Sequence, residues 1–282
     1  MKRASVVLVL IYSLWLVSVF GVEAGDRILR LATTTSTDNT GLLDYLAPFF
    51  EKQTGIKLQW VAVGTGKALK LGQNCDVDLL LVHAPPAEKA FIARGYGLER
   101  RPIMYNDFVL VGPPADPAGI RGLPVIEAFR RLAAKGTRFV SRGDNSGTHQ
   151  KELSLWQAAG IAPAQLERKP WYLQTGQGMM ITLLIAAEKG AYTLTDRGTF
   201  LKFKANHKLA QRLAILVEGD PALRNQYSVI LVNPARCPNV KAKQARLFVE
   251  WLTSPEIQRK IGEFKLFGQP LFIPNAHEKT GP

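Results

Sequence analysis

Three loops in this chain concentrate groups suited to holding an anion. Five consecutive hydroxyl residues, Thr33 to Thr37, stand between an apolar run and a helical pattern. Hydroxyl side chains cap helix starts, and the first turn of a helix offers unpaired N–H groups at the positive end of its dipole. A plain cap needs one or two hydroxyls, so Thr34, Thr35 and Ser36 are candidate ligands. The second loop, Val63-Gly64-Thr65-Gly66-Lys67, again leads from a strand into a helix. Its glycines let the backbone approach a ligand, and Thr65 supplies a hydroxyl. The spacing is neither a P-loop nor a dinucleotide fingerprint, because Leu69 stands where a third glycine is needed.

The third loop, Ser141 to Thr148, is the most specific. Arg142 provides a planar, permanently charged fork matched to two oxygens of one anion. Ser146, Gly147 and Thr148 add hydroxyls and N–H groups at the next helix start, and Asp144 is placed to hold the guanidinium. An adhesion reading of Arg142-Gly143-Asp144 is weaker than a helix cap. A hydrolase reading of Ser146, His149 and Asp144 is also weak, because a catalytic triad is assembled from distant segments and these lie within six positions.

The elements that must position these loops alternate. Strands are expected at Ile28 to Ala32, Ile56 to Val63 and Asp78 to Val82, with helices at Thr40 to Thr54, Ala68 to Gly72 and Glu88 to Gly95. Three successive βα units predict a parallel sheet covered by helices. Further strands are expected at Phe108 to Val111, Phe139-Val140, Leu213 to Val217 and Tyr227 to Val232. Helices are expected at Val125 to Lys135, Thr148 to Ala159, Met179 to Lys189 and Lys241 to Leu252. No linker rich in Gly, Ser or Pro interrupts them. Met179 and Met180 read as core filling, since soft metal ligands to accompany them are missing.

With 282 residues and 46% of them hydrophobic, the chain can bury a sizeable core, and its length suits two domains or one large α/β unit. Lys2 and Arg3, the apolar run Val6 to Phe20, and Val22-Glu23-Ala24 have the layout of a secretory signal cut after Ala24. The formal charge of +13 falls only to +12 without that segment, so the basicity belongs to the mature chain. It favours anionic partners. Nucleic acid is not among them, because basic and aromatic residues are not interleaved and no reader motif is present. In an oxidising compartment Cys75 and Cys237 can form a bridge or remain two buried thiols; their spacing suits no zinc site.

Taken together, Thr33 to Thr37, Val63 to Gly66, Met104-Tyr105-Asn106-Asp107-Phe108, Ser141 to His149 with Lys151-Glu152, Gly176-Gln177-Gly178-Met179 and Tyr192 to Thr199 resemble the TupA-type tungstate-binding proteins of ABC importers. The resemblance spans nearly the whole mature chain. It implies an α/β, two-lobed periplasmic-binding-protein fold of type II, with a ligand cleft between the lobes and a two-strand hinge. Residues 1–24 would be the signal peptide, 25–109 with 227–282 lobe I, and 110–226 lobe II. Crossing strands would lie near Phe108 to Val111 and Tyr227 to Val232. At Cys75 the family pattern leads one to expect a small residue such as glycine.

The resemblance further implies a monomeric, periplasmic solute-binding protein that is not an enzyme. It would need no cofactor, would hold no metal cation, and would deliver tungstate, or also molybdate, to a permease in the inner membrane. Phosphate or another tetrahedral oxyanion is the alternative ligand. A tungstate dianion carries no proton at neutral pH, so its site should offer donors and no bare carboxylate. Thr34, Thr35, Ser36, Thr65, Arg142, Ser146, Gly147 and Thr148 meet that demand. His83, at the end of the third strand, is expected beside the anion without touching it, as are Asp144, Asp196 and Arg197, which would brace the cleft.

Overall fold

The computed structural model describes residues 27–278, so the expected signal peptide lies outside the described residues. Along the chain run β1 (Ile28–Thr34), α1 (Thr35–Asn39), α2 (Leu42–Thr54), β2 (Lys57–Val63), α3 (Thr65–Gln73), β3 (Leu79–Val82), α4 (Pro85–Ala93) and β4 (Gly97–Gly112). There follow α5 (Val125–Ala134), β5 (Phe139–Ser141), α6 (Gly147–Ala158), α7 (Pro163–Leu166), β6 (Tyr172–Gln174), α8 (Met179–Lys189), β7 (Thr193–Asp196), α9 (Arg197–Asn206) and β8 (Ala214–Val217). The chain then returns through β9 (Arg224–Val232), α10 (Ala242–Leu252), α11 (Pro255–Glu263) and the short β10 (Lys265–Leu266), β11 (Gln269–Pro270) and β12 (Ile273–Pro274).

Pairing divides these elements into two lobes. In the first, β2, β1 and β3 run parallel, as three βα units require, and β9 and β4 complete the sheet antiparallel. The expectation of a parallel sheet thus holds for three strands and fails for the two that connect the lobes. In the second lobe β7 and β8 pair antiparallel with the far half of β4. The strand β4 is therefore common to both. Asp107 pairs with Arg224 of β9, while the next residue, Phe108, pairs with Asp196 of β7.

The side chains change company at the same place. Ile103 and Met104 belong to the core of the first lobe with Leu31, Phe50 and Phe248, whereas Phe108 and Leu110 pack with Phe129, Phe139 and Trp156. Val109 and Val111 alternate to the opposite face and meet Leu183 and Phe203. The crossing points are thus 107/108 and the start of β9 at Arg224, slightly N-terminal to the expected 109/110 and 226/227.

The lobes are closed on one another. A side-chain atom added at Gly147 of α6 would sit 3.2 Å from Thr65 Oγ1 and 3.3 Å from His83 Cε1, both of the first lobe. On another side Lys202 Nζ donates to the Asn39 carbonyl at 3.2 Å. Cys75 and Cys237 are joined, which ties the end of α3 to the segment after β9. Cys75 has φ +67, a left-handed conformation that favours glycine and accounts for the small residue expected there.

Candidate functional site

Strand ends and helix starts bring the three loops together. A small gap between the lobes is lined by Thr34, Thr35, Ser36, Gly64, Thr65, His83, Arg142, Ser146 and Gly147. The first-lobe contributions come from the β1–α1 junction, the β2–α3 junction and the end of β3. Those of the second come from the β5–α6 loop. The β1–α1, β2–α3 and β5–α6 junctions place the N-terminal turns of helices at the gap, and the end of β3 places His83 there. Among the described residues the lining contains no carboxylate.

Arg142 is the cation of the site and is only 4% exposed. Asp144 holds it through Nη2 at 2.5 Å and also accepts the Ser146 N–H at 3.1 Å, the bracing expected of it. The Arg142 carbonyl accepts from the Gly176 N–H at 2.8 Å and from Thr175 Oγ1 at 3.2 Å, so the loop after β6 fixes the backbone behind the guanidinium. Arg142 Nε, Thr65 Oγ1 and Thr148 Oγ1 are buried with no hydrogen-bond partner among the described residues. Buried donors are normally satisfied, and two of these orphans, Arg142 Nε and Thr65 Oγ1, belong to residues that line the gap, which suits a ligand rich in acceptors.

The hydroxyls of the first loop are engaged differently. Thr34 Oγ1 caps α1 by accepting the Thr37 N–H at 3.2 Å and lies 2.7 Å from Thr37 Oγ1, so this hydroxyl is committed to the helix start as well as lining the gap. Ser36 Oγ and Thr34 Oγ1 lie 3.0 and 3.1 Å from His83 Nε2. His83 touches the gap itself, closer than expected. Its Nδ1 is 2.9 Å from Asn225 Oδ1, and its ring stacks on Tyr227 with centroids 4.8 Å apart. Burial lowers its pKa to about 4 against the upward pull of the Asn225 hydrogen bond, and Arg142 adds to the lowering, so the imidazole is neutral at neutral pH. A neutral ring adds no charge to the site beside that of Arg142.

Asp196 and Arg197, expected to act together, diverge. Asp196 is fully buried and caps α9, accepting the Thr199 N–H at 2.8 Å and the Thr199 hydroxyl at 2.7 Å. Burial raises its pKa, which those bonds and the nearby Arg142 oppose. Arg197 turns away from the gap to the hinge, where it grips Asp107 at 2.7 and 2.6 Å and Glu218 at 2.6 Å. Consecutive positions at a helix cap point in different directions, so Arg197 faces the hinge side of the cleft, where it ties β4 to the segment after β8, and does not face the gap. Thr148 is buried beside the gap-lining residues but is not part of the lining.

The hydrolase arrangement does not form. His149 Nδ1 accepts the Asn145 N–H at 3.0 Å, Ser146 Oγ accepts the His149 N–H at 3.3 Å, and Asp144 is spent on Arg142. A roomier cavity at the hinge, lined by Tyr105, Asp107, Arg197 and Arg224 among others, has its cations already paired: Arg197 as above, Arg224 over the Tyr105 ring at 3.7 Å and against Glu278 at 3.2 Å. Sequence reasoning missed Asn225, Asn106, Thr175 and Glu152 as supports. For Asn106, Asn225 and Glu152 the available signal was a polar residue set in an otherwise buried strand or helix face; Thr175, in the loop after β6, had no such signal.

A family model described as a PBP superfamily domain matches residues 21–256. The tungstate-binding protein TupA of Campylobacter jejuni is 47% identical over 241 residues, 86% of this chain and 88% of that protein. The protein of the same name from Peptoclostridium acidaminophilum is 49% identical over 251 residues, covering 87% and 85%. The chain belongs to the TupA family of the PBP superfamily. Among solved structures, the TupA tungstate-binding protein of Desulfovibrio alaskensis G20 matches with TM-score 0.79 and 60% identity over 89% of this chain and 99% of that one. The TupA likeness thus covers most of the chain. Among the described residues, no helix is long and apolar enough to cross a membrane.

Proposed function

We propose that this protein captures tungstate in the gap between its lobes, outside the cytoplasm, and hands it to the permease of an ABC importer. The observation that carries the reading is the donor set. Arg142 is buried with Nε unpartnered, Thr65 Oγ1 is likewise unpartnered, helix starts converge from both lobes, and no lining residue is a carboxylate. A dianion without a proton can only accept hydrogen bonds, and a site of donors satisfies all its oxygens. The printed names of the TupA relatives agree with that chemistry. Molybdate, a dianion of the same demand, is expected to compete.

Capture needs no catalytic group and no cofactor: tungstate is cargo, and binding consists of orientation and desolvation. The two lobes each supply part of the cradle, Thr35, Ser36 and Thr65 from one and Arg142, Ser146 and Gly147 from the other, so a bound anion holds them together. Hydrogen phosphate would turn its proton toward donors, forfeiting a charge-assisted bond at a cost of about 1–3 kcal/mol. Calorimetric titration with tungstate, molybdate, sulfate and phosphate tests this. Strong binding of tungstate and molybdate with weak binding of phosphate is expected; phosphate binding as tight as tungstate would overturn the reading.

A further inference from the structure

The buried carboxyl of Glu152 has no part in the donor set, yet it stands where three supports of Arg142 meet. Glu152 is 2% exposed. Its Oε1 accepts from Trp156 Nε1 at 3.1 Å within α6 and from the Tyr172 hydroxyl at 2.7 Å. The Ser141 hydroxyl also bonds it, and Ser141 Oγ in turn accepts the Gly143 N–H at 3.2 Å. Each partner leads to the anion loop. Ser141 is the residue before Arg142, Tyr172 opens the strand that ends at the Thr175–Gly176 clasp on the Arg142 carbonyl, and α6 begins with the donors Ser146 to Thr148.

We propose that Glu152 is the positioning residue of the Arg142 loop, and that the anion is bound with this carboxyl protonated. The inference rests on the anion reading above and adds to it a link with protons. The neighbours of Glu152 are hydrogen-bond donors rather than cations, so an ionised carboxylate here is an uncompensated buried charge on the same helix whose N-terminus meets the anion. The groups facing it are Asp144 from the β5–α6 loop, Tyr172 from β6 with Glu167, just after α7, beyond it, and Trp156 on its own helix. Asp144 adds a second negative charge, although Arg142 holds it. Burial, with a smaller push from Asp144, raises the Glu152 pKa to about 7, against the pull of the Ser141, Tyr172 and Trp156 hydrogen bonds. A dianion arriving in the gap raises it further, so binding near neutral pH takes up protons. The proton sits on the carboxyl, whose O–H then donates to Ser141 Oγ while Oε1 keeps both its donors.

The test is tungstate calorimetry on the full protein and on Glu152→Gln, which imitates the protonated carboxyl, at pH 6.5 and 8.0. Because both are measured against the same anion, the chemistry of tungstate itself cancels in the comparison. Parent affinity is expected to fall about five-fold across that range, the variant to stay flat and to bind more tightly than the parent at pH 8.0. Equal slopes in the two proteins would overturn the proton link. Amide hydrogen exchange over residues 141–148 without ligand tests the positioning directly: Glu152→Ala should deprotect them and Glu152→Gln should not. Unchanged exchange in Glu152→Ala would overturn it. Absence of any tungstate heat in the parent would instead sink the ligand assignment, and the exchange result would still decide the role of Glu152.

Discussion

Gly147→Ala is the smallest perturbation that separates closure from folding. The added Cβ would lie 3.2 Å from Thr65 Oγ1 and 3.3 Å from His83 Cε1, a few tenths of an ångström inside ordinary contact. Neither neighbour can give way easily. Thr65 is fully buried, and the His83 ring is held by Asn225 at 2.9 Å and by its stack on Tyr227. Overpacking of this kind costs about 1–3 kcal/mol. Both neighbours belong to the first lobe and Gly147 to the second, so the cost falls on the closed form and opening relieves it. Tungstate affinity should therefore drop about 5- to 150-fold while the melting temperature without ligand changes little. Gly66→Ala is the control, since the nearest atoms to its Cβ, both of Asn145, are 3.9 Å away. Calorimetry reads the affinity, and small-angle scattering with and without tungstate reads the closure. Parent-like affinity and compaction in Gly147→Ala would refute the view that the anion is held where the lobes meet.

Arg142→Ala should weaken tungstate binding by about 2–5 kcal/mol in calorimetry, and Arg142→Lys should also lose much of it, because an ammonium keeps the charge but not the fork. Asp144→Asn should cost less, since it loosens Nη2 without removing the cation. His83 and Glu152 give stability opposite pH slopes. The lowered pKa of His83, about 4, makes the unfolded chain the stronger proton binder between about 4 and 6.5, so its contribution is present above 6.5 and is lost as pH falls, by up to about 3 kcal/mol. The raised pKa of Glu152, about 7, makes the folded chain the stronger binder between about 4.5 and 7, so its contribution is lost as pH rises, by a similar amount. Urea unfolding should accordingly show stability rising more steeply with pH between 4.5 and 7 in Glu152→Gln than in the parent; parallel curves would contradict the assignment. Reduction of the Cys75–Cys237 bridge should lower stability by roughly 2–5 kcal/mol and leave tungstate affinity nearly unchanged, because its neighbours at Gly72 and Arg236 are not part of the gap.

The anion loops were legible because they are local. Hydroxyls and glycines between an apolar run and a helix start announce an N-terminal turn, and Thr34, Thr65, Arg142 and Ser146 converge on one gap as that logic requires. What long-range pairing decides was not legible. Arg100-Arg101-Pro102 breaks the alternation of β4, so only its last third reads as a strand; in the fold Arg100 is accommodated by an ion pair with buried Glu88 and the register shifts after Pro102. The antiparallel docking of β9 on β3 has no local signature either. Asp196 and Arg197 were read as one unit, and only the cap geometry of α9 shows that one faces the core and the other the hinge. Glu152 was visible as an acidic residue on the apolar stripe of α6 with Leu155 and Trp156, yet periodicity alone says that it is buried, not what it supports.

The central claim concerns one place and one ligand, and tungsten marks both. A crystal of the protein grown with tungstate, measured at a wavelength where tungsten scatters anomalously, should show a single strong peak between the lobes, within hydrogen-bond reach of Arg142 and Thr65 and of the N-terminal turns at Thr35 and Gly147. A peak at the hinge cavity beside Arg197 and Arg224, or no peak at saturating tungstate, would contradict the account.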